Sequence, residues 1–172
     1  MPSMKQFDTL FLDRDGILNK KIENGYVLDF DQVEIIAGAK DFLQIAADHF
    51  RRIVVVTNQR CIGLGLLSSE KLVQINYSIN QLAGSFVDKF YVCPHLTEDN
   101  CTCRKPKTGL FLIAQKDYNI DFTRSWMIGD SETDLIPAKQ LQIFTLFRSE
   151  QDSSFADKNF KSFDELASLL EE

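Results

Sequence analysis

Short apolar runs alternate along this chain with longer stretches in which apolar residues recur at helical spacing. The runs are typical of buried strands, and the longer stretches are typical of helices that cover a sheet. They predict strands over residues 7–12, 52–58, part of 85–93, 125–128 and 143–147, and a short strand over 33–36. They predict helices over residues 38–50, 68–82, 107–118 and 131–140, and a terminal helix that opens at Ser162. The polar segment 151–161 is predicted to be irregular.

Strands that alternate with helices indicate an α/β fold, in which a Rossmann-like parallel sheet has helices on both faces. A chain of 172 residues can bury a substantial core, and we assign residues 1–172 to a single domain. In such sheets ligands bind beyond the carboxyl ends of the strands. Three predicted strands end in polar residues, which are therefore expected to meet at one edge of the sheet: Asp13 with Asp15, Thr57 with Asn58, and Asp130.

Asp13 and Asp15 carry the clearest chemical signal. They follow the first apolar strand, and Gly16 then permits a sharp turn. Two carboxylates this close repel each other unless a cation lies between them or one of them is protonated. An ordinary acidic turn is the alternative, but the polar ends of the other strands favour a functional site.

Composition and charge narrow the classes of partner. The net charge of −6 argues against a nucleic-acid partner, because neutralising phosphates requires a basic face. No apolar run approaches the length of a membrane span, and the first residues lack the basic and apolar regions of a secretory signal. We therefore expect a cytoplasmic protein without a membrane partner.

The cysteines cluster after the third predicted strand, where Cys93, His95, Cys101 and Cys103 supply three thiols and one imidazole. In a cytoplasmic chain such clustering favours a metal over disulfides, and this set is sufficient for a closed tetrahedral zinc site. Zinc would order a short polar loop and contribute to folding rather than to chemistry. The alternative is that Cys93 is a buried strand residue and the other three are incidental. Cys61 lies apart and is expected to be a free thiol.

Four short motifs follow one another over nearly the whole chain: DxDG at 13–16, Thr57-Asn58, Lys105, and GDxxxD at 129–134. Together they resemble the four motifs of the haloacid dehalogenase superfamily of phosphotransferases. The resemblance implies a phosphomonoester hydrolase that depends on magnesium, works through an aspartyl-phosphate intermediate and acts on a small phosphorylated metabolite. Ile17 is a departure, because many members of the superfamily carry threonine there.

The resemblance also implies which residues carry the chemistry. Asp13 would be the nucleophile. Asp15 would be the general acid for the leaving alkoxide and then the base that activates water, a task that suits a raised pKa. Magnesium would lie between Asp13, the backbone carbonyl of Asp15 and Asp130.

The remaining motif residues would bind and neutralise the phosphoryl group. Thr57 and Asn58 would donate hydrogen bonds to phosphoryl oxygens, and Lys105 would be the balancing cation. For Asp134 three roles stay open: support of the metal shell, support of Lys105, or a place on a solvated helix face.

The cysteine cluster runs directly into Arg104 and Lys105, so that zinc would hold both against the substrate phosphate. This arrangement resembles a capless bacterial branch of the superfamily, and the chain has no room for a large cap domain. Two families of that branch are similar: the D-glycero-D-manno-heptose 1,7-bisphosphate 7-phosphatases and the histidinol-phosphate phosphatases. Segments 25–27 and 108–110 are more similar to the heptose family, whereas the loop 95–103 is at least as similar to the histidinol family.

Contacts with the rest of the substrate are the least determined part of the interpretation. Asn58, Arg104, Arg60 and Tyr26 are the candidate substrate-binding residues. The heptose family usually has a small residue and a glycine where this chain has Arg60 and Cys61, and it usually has arginine at position 64. The sequence therefore favours the heptose substrate and leaves histidinol phosphate open.

Two further functions stay open at this point. Related capless enzymes remove 3′-phosphates from nucleic-acid ends, but the acidic balance of this chain argues against that activity. A non-catalytic, zinc-stabilised binding module on the same fold is disfavoured because every expected catalytic residue type is present. Members of this branch are often monomeric, so we expect a monomer.

Overall fold

The computed structural model describes residues 5–170, which fold around one six-stranded sheet. Its strands are β1 (Phe7–Leu12), β2 (Phe50–Asn58), β3 (Lys89–Cys93), β4 (Trp126–Gly129), β5 (Phe144–Arg148) and β6 (Lys158–Phe160). Their order across the sheet is β3-β2-β1-β4-β5-β6, and each neighbouring pair is parallel. The predicted α/β fold with a Rossmann-like parallel sheet is confirmed.

Helices connect the strands. They are α1 (Ala39–His49), α2 (Arg60–Gly63), α3 (Ser69–Leu82), α4 (Gly109–Tyr118), α5 (Glu132–Gln140) and α6 (Phe163–Leu170). Ser68 caps α3, because its hydroxyl accepts a hydrogen bond of 3.1 Å from the backbone N–H of Lys71. No segment between the described elements is large enough to form a cap domain. Within residues 5–170 no helix has the length and hydropathy needed to cross a bilayer.

Side chains of the central strands alternate between two layers of core. In β1, Leu10 and Leu12 belong to a cluster with α1, α3 and α6, whereas Phe11 belongs to a second cluster with α4. The Phe11 ring lies 5.0 Å from the ring of Phe111 in α4. Because both faces of the sheet are covered, its central strands read in the sequence as apolar runs without clear alternation.

Two local predictions were wrong. Residues 33–36 do not form a strand, and Ile35 makes only an isolated bridge. Segment 151–161 contains β6, whose polar residues gave no strand signal. It forms because Asp157 accepts a hydrogen bond of 2.8 Å from the backbone N–H of Thr145, which brings the segment beside β5. Such pairing depends on tertiary context rather than on the residues of the strand itself.

The strand order decides where a ligand can bind. Connections leave β1 and β4 toward opposite sides of the sheet, which opens a crevice beyond the carboxyl ends of these two neighbouring strands. The backbone N–H of Asp13 donates to the carbonyl of Ile128 at 3.0 Å and continues the pairing of the two strands to the floor of this crevice. The chain therefore leaves β1 at a fixed position.

The core makes a testable prediction about stability. Phe42 of α1 is 1% exposed, and its ring lies 5.4 Å from that of Phe163 in α6. We expect Phe42→Ala to lower the free energy of unfolding by about 3–5 kcal/mol, since it opens a cavity between two helices. The matched control is Phe30→Ala, because Phe30 is 42% exposed and should cost less than about 1 kcal/mol. Urea unfolding measures both, and equal losses would contradict this assignment of the core.

Candidate active site at the carboxyl edge of the sheet

The crevice at the ends of β1 and β4 encloses about 200 Å³. It brings together residues that lie far apart in the sequence, and most of the predicted site residues line it: Asp13, Asp15, Tyr26, Thr57, Asn58, Lys105, Asp130 and Asp134. Lys21 also lines it and was not predicted. Arg60 and Arg104 are not among its lining residues.

Asp13 lies at the floor of the crevice, directly after β1. Its Oδ1 accepts hydrogen bonds from Lys105 Nζ at 2.9 Å and from the backbone N–H of Arg14 at 2.8 Å. Burial and the neighbouring Asp134 raise the pKa of Asp13 to about 6, against the opposing charge of Lys105. The carboxylate of Asp13 is therefore a group whose negative charge is only partly compensated by the protein.

Lys105 is buried, and its ammonium group donates hydrogen bonds to three acceptors. Its Nζ lies 2.9 Å from Asp13 Oδ1, 2.6 Å from Asp134 Oδ1 and 2.7 Å from the carbonyl oxygen of Val56. Burial disfavours the charged form, but Asp13 and Asp134 outweigh it and raise the pKa of Lys105. The lysine is thus a permanent cation at neutral pH.

Asn58 holds the backbone of Lys105. Its Oδ1 accepts from the Lys105 N–H at 3.0 Å, and its Nδ2 donates to the Lys105 carbonyl at 3.0 Å. The sequence predicted a direct bond from this amide to phosphoryl oxygens. In the structure both ends of the amide bind Lys105, so that Asn58 fixes the cation at the wall of the crevice.

Asp134 is only 2% exposed, which excludes the solvated helix face that the sequence left open. Its Oδ1 accepts from Lys105, and its Oδ2 accepts from the backbone N–H of Ser131 at 3.2 Å at the start of α5. Gly129 makes this approach possible, because a Cβ there would lie 2.4 Å from the Cβ of Asp134. Asp134 therefore supports Lys105 directly.

The three acids Asp13, Asp130 and Asp134 offer carboxylate oxygens that lie within 4.8 Å of one another. Oδ1 of Asp130 is buried without a hydrogen-bond partner, and burial together with Asp13 raises the pKa of Asp130. Gly16 lets this carboxylate come close, because its φ is +92° and a Cβ would lie 2.1 Å from Asp130 Oδ2. A crowded set of buried oxygens with an unpaired member fits a hard divalent cation such as Mg²⁺.

Asp15 has surroundings unlike those of Asp13. Its Oδ1 accepts from Nη2 of Arg14 at 2.9 Å and from Nδ2 of Asn19 at 2.9 Å, and its Oδ2 accepts from Nε2 of Gln59 at 2.8 Å. Burial opposes ionisation, but Arg14, Asn19 and Gln59 outweigh it and lower the pKa of Asp15. The expectation of a raised pKa was wrong, because it did not include the pairing of Arg14 with Asp15 or the bonds from Asn19 and Gln59.

Four residues of this network were missed by sequence reasoning: Arg14, Asn19, Gln59 and Asn76. Arg14 is fully buried and lies between the two acids of the first motif, so a buried ion pair with one of them could have been considered. Gln59 follows Thr57 and Asn58 directly and shares their position at a strand end. For Asn76, a polar residue within the apolar stripe of α3 was the available signal.

The predicted zinc ligands form a second cluster beside the crevice. Ligand atoms of Cys93, His95, Cys101 and Cys103 all lie within 4.8 Å of one another. The Sγ atoms of Cys93 and Cys101 are 3.6 Å apart, and Nδ1 of His95 lies 3.2 Å from Sγ of Cys103. The separation of the two sulfurs is too long for a disulfide, and both separations suit four ligands around one ion. Cys61 is a buried free thiol outside the cluster.

The two arginines that were predicted to bind substrate, Arg60 and Arg104, lie outside the crevice. Arg60 begins α2, and its buried Nε has no hydrogen-bond partner. Arg104 follows the cysteine cluster, and its Nη1 reaches the carbonyl of His95 at 3.5 Å. The structure therefore brings Tyr26, but neither arginine, to the lining of the crevice.

Comparisons with known proteins agree with this geometry. A family model described as HAD-hydrolase-like matches residues 102–147. The D-glycero-beta-D-manno-heptose-1,7-bisphosphate 7-phosphatase of Haemophilus ducreyi is 38% identical over 146 residues, which cover 79% of this chain and 79% of the relative. The corresponding enzyme of Helicobacter pylori strain 26695 is 40% identical over 131 residues, 74% of this chain and 75% of the relative. The D-glycero-alpha-D-manno-heptose-1,7-bisphosphate 7-phosphatase of Mycobacterium bovis is 39% identical over 130 residues, 73% of this chain and 68% of the relative.

Solved structures share the fold. The D,D-heptose 1,7-bisphosphate phosphatase from B. bronchiseptica, in complex with magnesium and phosphate, superimposes with a TM-score of 0.83 at 23% identity. The match covers 97% of this chain and 98% of that chain. A putative HAD-like phosphatase from Mesorhizobium loti gives a TM-score of 0.81 at 24% identity, over 98% of this chain and 86% of that chain. By these sequence similarities the chain belongs to the haloacid dehalogenase-like hydrolases and, within them, to the family of the D-glycero-D-manno-heptose-1,7-bisphosphate 7-phosphatases.

Proposed function

We propose that this protein removes the 7-phosphate of D-glycero-D-manno-heptose 1,7-bisphosphate by way of an aspartyl-phosphate on Asp13. The observation that carries the reaction is the position of the Asp13 carboxylate, on the floor of the crevice and between the cation Lys105 and the acid Asp130. The choice of substrate is supported by relatives of this name at 37–40% identity.

Asp13 and Asp130 would hold Mg²⁺ with their carboxylate oxygens, together with the backbone carbonyl of Asp15. The unpaired Oδ1 of Asp130 supports this assignment. When bound, the metal would neutralise charge on the phosphoryl oxygens and relieve the repulsion between the acids. Asp134 would support the site through Lys105, to which it is paired, and through the backbone N–H of Ser131.

The residues of the chain divide the chemistry between them. A carboxylate oxygen of Asp13 forms a bond to phosphorus as the bond from phosphorus to the ester oxygen breaks, and Asp15 gives a proton to that oxygen. Water then attacks the aspartyl-phosphate, gives a proton back to Asp15 and releases inorganic phosphate. Thr57 donates to a phosphoryl oxygen, and Lys105 compensates the charge that develops.

Asp15 must be protonated for the first of these steps, although Arg14, Asn19 and Gln59 lower its pKa. A bound phosphate dianion is a like charge in the same buried site, so it favours the protonated form of Asp15. Substrate binding would thus prepare the acid, and departure of the alkoxide would return Asp15 to the ionised form that Arg14 stabilises.

Zinc would bind Cys93, His95, Cys101 and Cys103 and hold the loop that leads into Lys105. Of the three candidates for the distal end of the substrate, Tyr26 lines the crevice and would contact it, whereas Arg60 and Arg104 would have to move to do so. We place the protein in the cytoplasm, because a cluster of reduced cysteines suits a reducing compartment. We also propose that it is a monomer.

The nucleophile is tested by Asp13→Asn. We expect hydrolysis of p-nitrophenyl phosphate with added Mg²⁺ to fall at least about a thousandfold, since the amide cannot form the intermediate. Asp41→Asn is the matched control, because Asp41 is exposed on α1, and its rate should stay within about twofold of the unmodified protein. A variant at position 13 that retained activity would exclude an aspartyl-phosphate at this residue.

Substrate identity is tested by comparing kcat/KM across four compounds: the alpha and beta anomers of the heptose 1,7-bisphosphate, histidinol phosphate, and a 3′-phosphorylated oligonucleotide. We expect one of the two anomers to exceed histidinol phosphate by at least about tenfold, because a matched sugar site discriminates in the transition state. The relatives include enzymes named for each anomer, so both are required. A preference for histidinol phosphate or for the oligonucleotide would contradict the proposed substrate.

Zinc is tested by metal analysis of protein purified without added metal. We expect about one equivalent of zinc, and its loss in the double variant C101S/C103S. The same variant should lower the melting temperature and reduce phosphatase activity, because Cys103 and Lys105 share one loop. Cys61→Ser is the control, since Cys61 lies outside the cluster and should leave the zinc content unchanged. Active protein with negligible zinc would refute a zinc-held loop.

A further inference from the structure

The two carboxylate oxygens of Asp15 are bound differently. Oδ1 accepts three hydrogen bonds, from Nε of Arg14 at 3.3 Å, Nη2 of Arg14 at 2.9 Å and Nδ2 of Asn19 at 2.9 Å. Oδ2 accepts one, from Nε2 of Gln59 at 2.8 Å. Because a carboxylate has about four acceptor positions, Oδ1 has no capacity left and Oδ2 keeps an open lone pair.

The guanidinium group that saturates Oδ1 is itself fixed. Arg14 has no exposed surface, and its Nη1 donates to Oδ1 of Asn76 at 3.0 Å. Asn76 is a buried polar residue on the inner face of α3, where its neighbours in the stripe are apolar: Leu72, Ile75 and Ile79. A polar side chain in such a place is retained only with a hydrogen-bond partner. Arg14 is therefore oriented from two sides, by Asp15 and by Asn76.

Gln59 binds the other carboxylate oxygen of Asp15, Oδ2. Its Nε2 donates both to Oδ2 of Asp15 and to Oγ1 of Thr57 at 2.9 Å, and Thr57 lines the crevice. The amide thus links Oδ2 to the residue proposed to bind a phosphoryl oxygen. Oδ2 is the oxygen with both an open lone pair and a link to the reacting group.

We propose that Arg14 and Asn76 are positioning residues that hold Oδ1 of Asp15 out of the reaction, so that Oδ2 alone exchanges the proton. This rests on the proposed function, in which Asp15 is the general acid. As Asp13 bonds to phosphorus and the ester bond breaks, the proton on Oδ2 passes to the leaving oxygen. In the second step Oδ2 takes a proton from the attacking water.

The experiment compares leaving groups. An alkoxide requires a proton as it departs, whereas p-nitrophenolate is stable without one. The ratio of kcat/KM for an alkyl phosphate to that for p-nitrophenyl phosphate therefore reports the quality of the acid in the first step. We expect Asn76→Leu to lower kcat/KM by about ten- to a hundredfold for the alkyl ester and by less than about threefold for the aryl ester.

Two variants separate positioning from general damage. Asn80 lies one turn further along α3, and its side chain binds the backbone N–H and carbonyl of Val87 at 3.0 and 2.9 Å. Asn80→Leu therefore loses comparable hydrogen bonds, and we expect it to lower the melting temperature but to leave the ratio unchanged. Asn76→Asp keeps an acceptor for Arg14 and should retain the ratio of the unmodified protein.

Asp15→Asn separates failure of the inference from failure of the proposed function. If Asp15→Asn lowers kcat/KM equally for the alkyl and aryl esters, Asp15 is not the general acid. In that case both the proposed role of Asp15 and the positioning role of Arg14 and Asn76 are refuted. If Asp15→Asn shows the dependence but Asn76→Leu loses activity equally with both esters, only the positioning role is refuted. Should Asn76→Leu fail to fold, Arg14→Lys takes its place, because an ammonium group cannot bind Asp15 and Asn76 with the geometry of a guanidinium.

Discussion

The active-site edge of this protein depends on one buried ammonium group among several carboxylates. Lys105 lies between Asp13 and Asp134 and is itself 3% exposed. Charges removed from water are costly unless they are paired and hydrogen bonded, and Lys105 meets both conditions for the two acids that it touches. With Asp130 included, three acids face one buried ammonium, and the exposed Lys21 lies 3.5 Å from Oδ2 of Asp130, so the acids still outnumber the cations. The fold thus arranges a deficit of positive charge that suits a divalent cation.

Much of the surrounding structure serves to hold that ammonium in place. Asn58, at the end of β2, binds the backbone of Lys105 on both sides of the residue. The cysteine cluster ends two positions earlier, at Cys103, and α4 packs closely behind it: a Cβ on Gly109 would lie 2.3 Å from the carbonyl oxygen of Thr102. The loop is polar, and only Cys101 and Cys103 pack against the second core cluster, so a bound metal would add order to this region. Zinc coordination would therefore act on catalysis through the position of Lys105.

The polar ends of the predicted strands indicated that Asp13, Asp15, Thr57 and Asp130 lie at one edge of the sheet, and all four line the crevice there. The prediction worked because parallel strands follow from the alternation of elements, and parallel strands share one carboxyl edge. The pattern of strands could not predict which residues these four side chains would bind. The contact between Arg14 and Asn76 joins the turn after β1 to α3 over a separation of 62 residues, and no local pattern encodes it. The missed strand β6 has the same origin, since it depends on a tertiary hydrogen bond. The error in the pKa of Asp15 is partly local, because Arg14 adjoins Asp15 in the sequence and only the bond from Gln59 spans 44 residues.

The closeness of Asp13 and Asp15 in the sequence suggested that one cation lies between them. In the structure each acid instead has its own positively charged partner. Asp15 is compensated by Arg14, within the same motif, whereas Asp13 is compensated by Lys105 from the loop after β3. The two acids thus belong to separate charge systems although they are two residues apart. A metal bound toward Asp130 would act on Asp13 and the phosphoryl group and leave the Arg14–Asp15 pair intact. In the proposed reaction this separation would let one carboxylate act as nucleophile while its neighbour changes protonation state, because each has a counter-charge of its own.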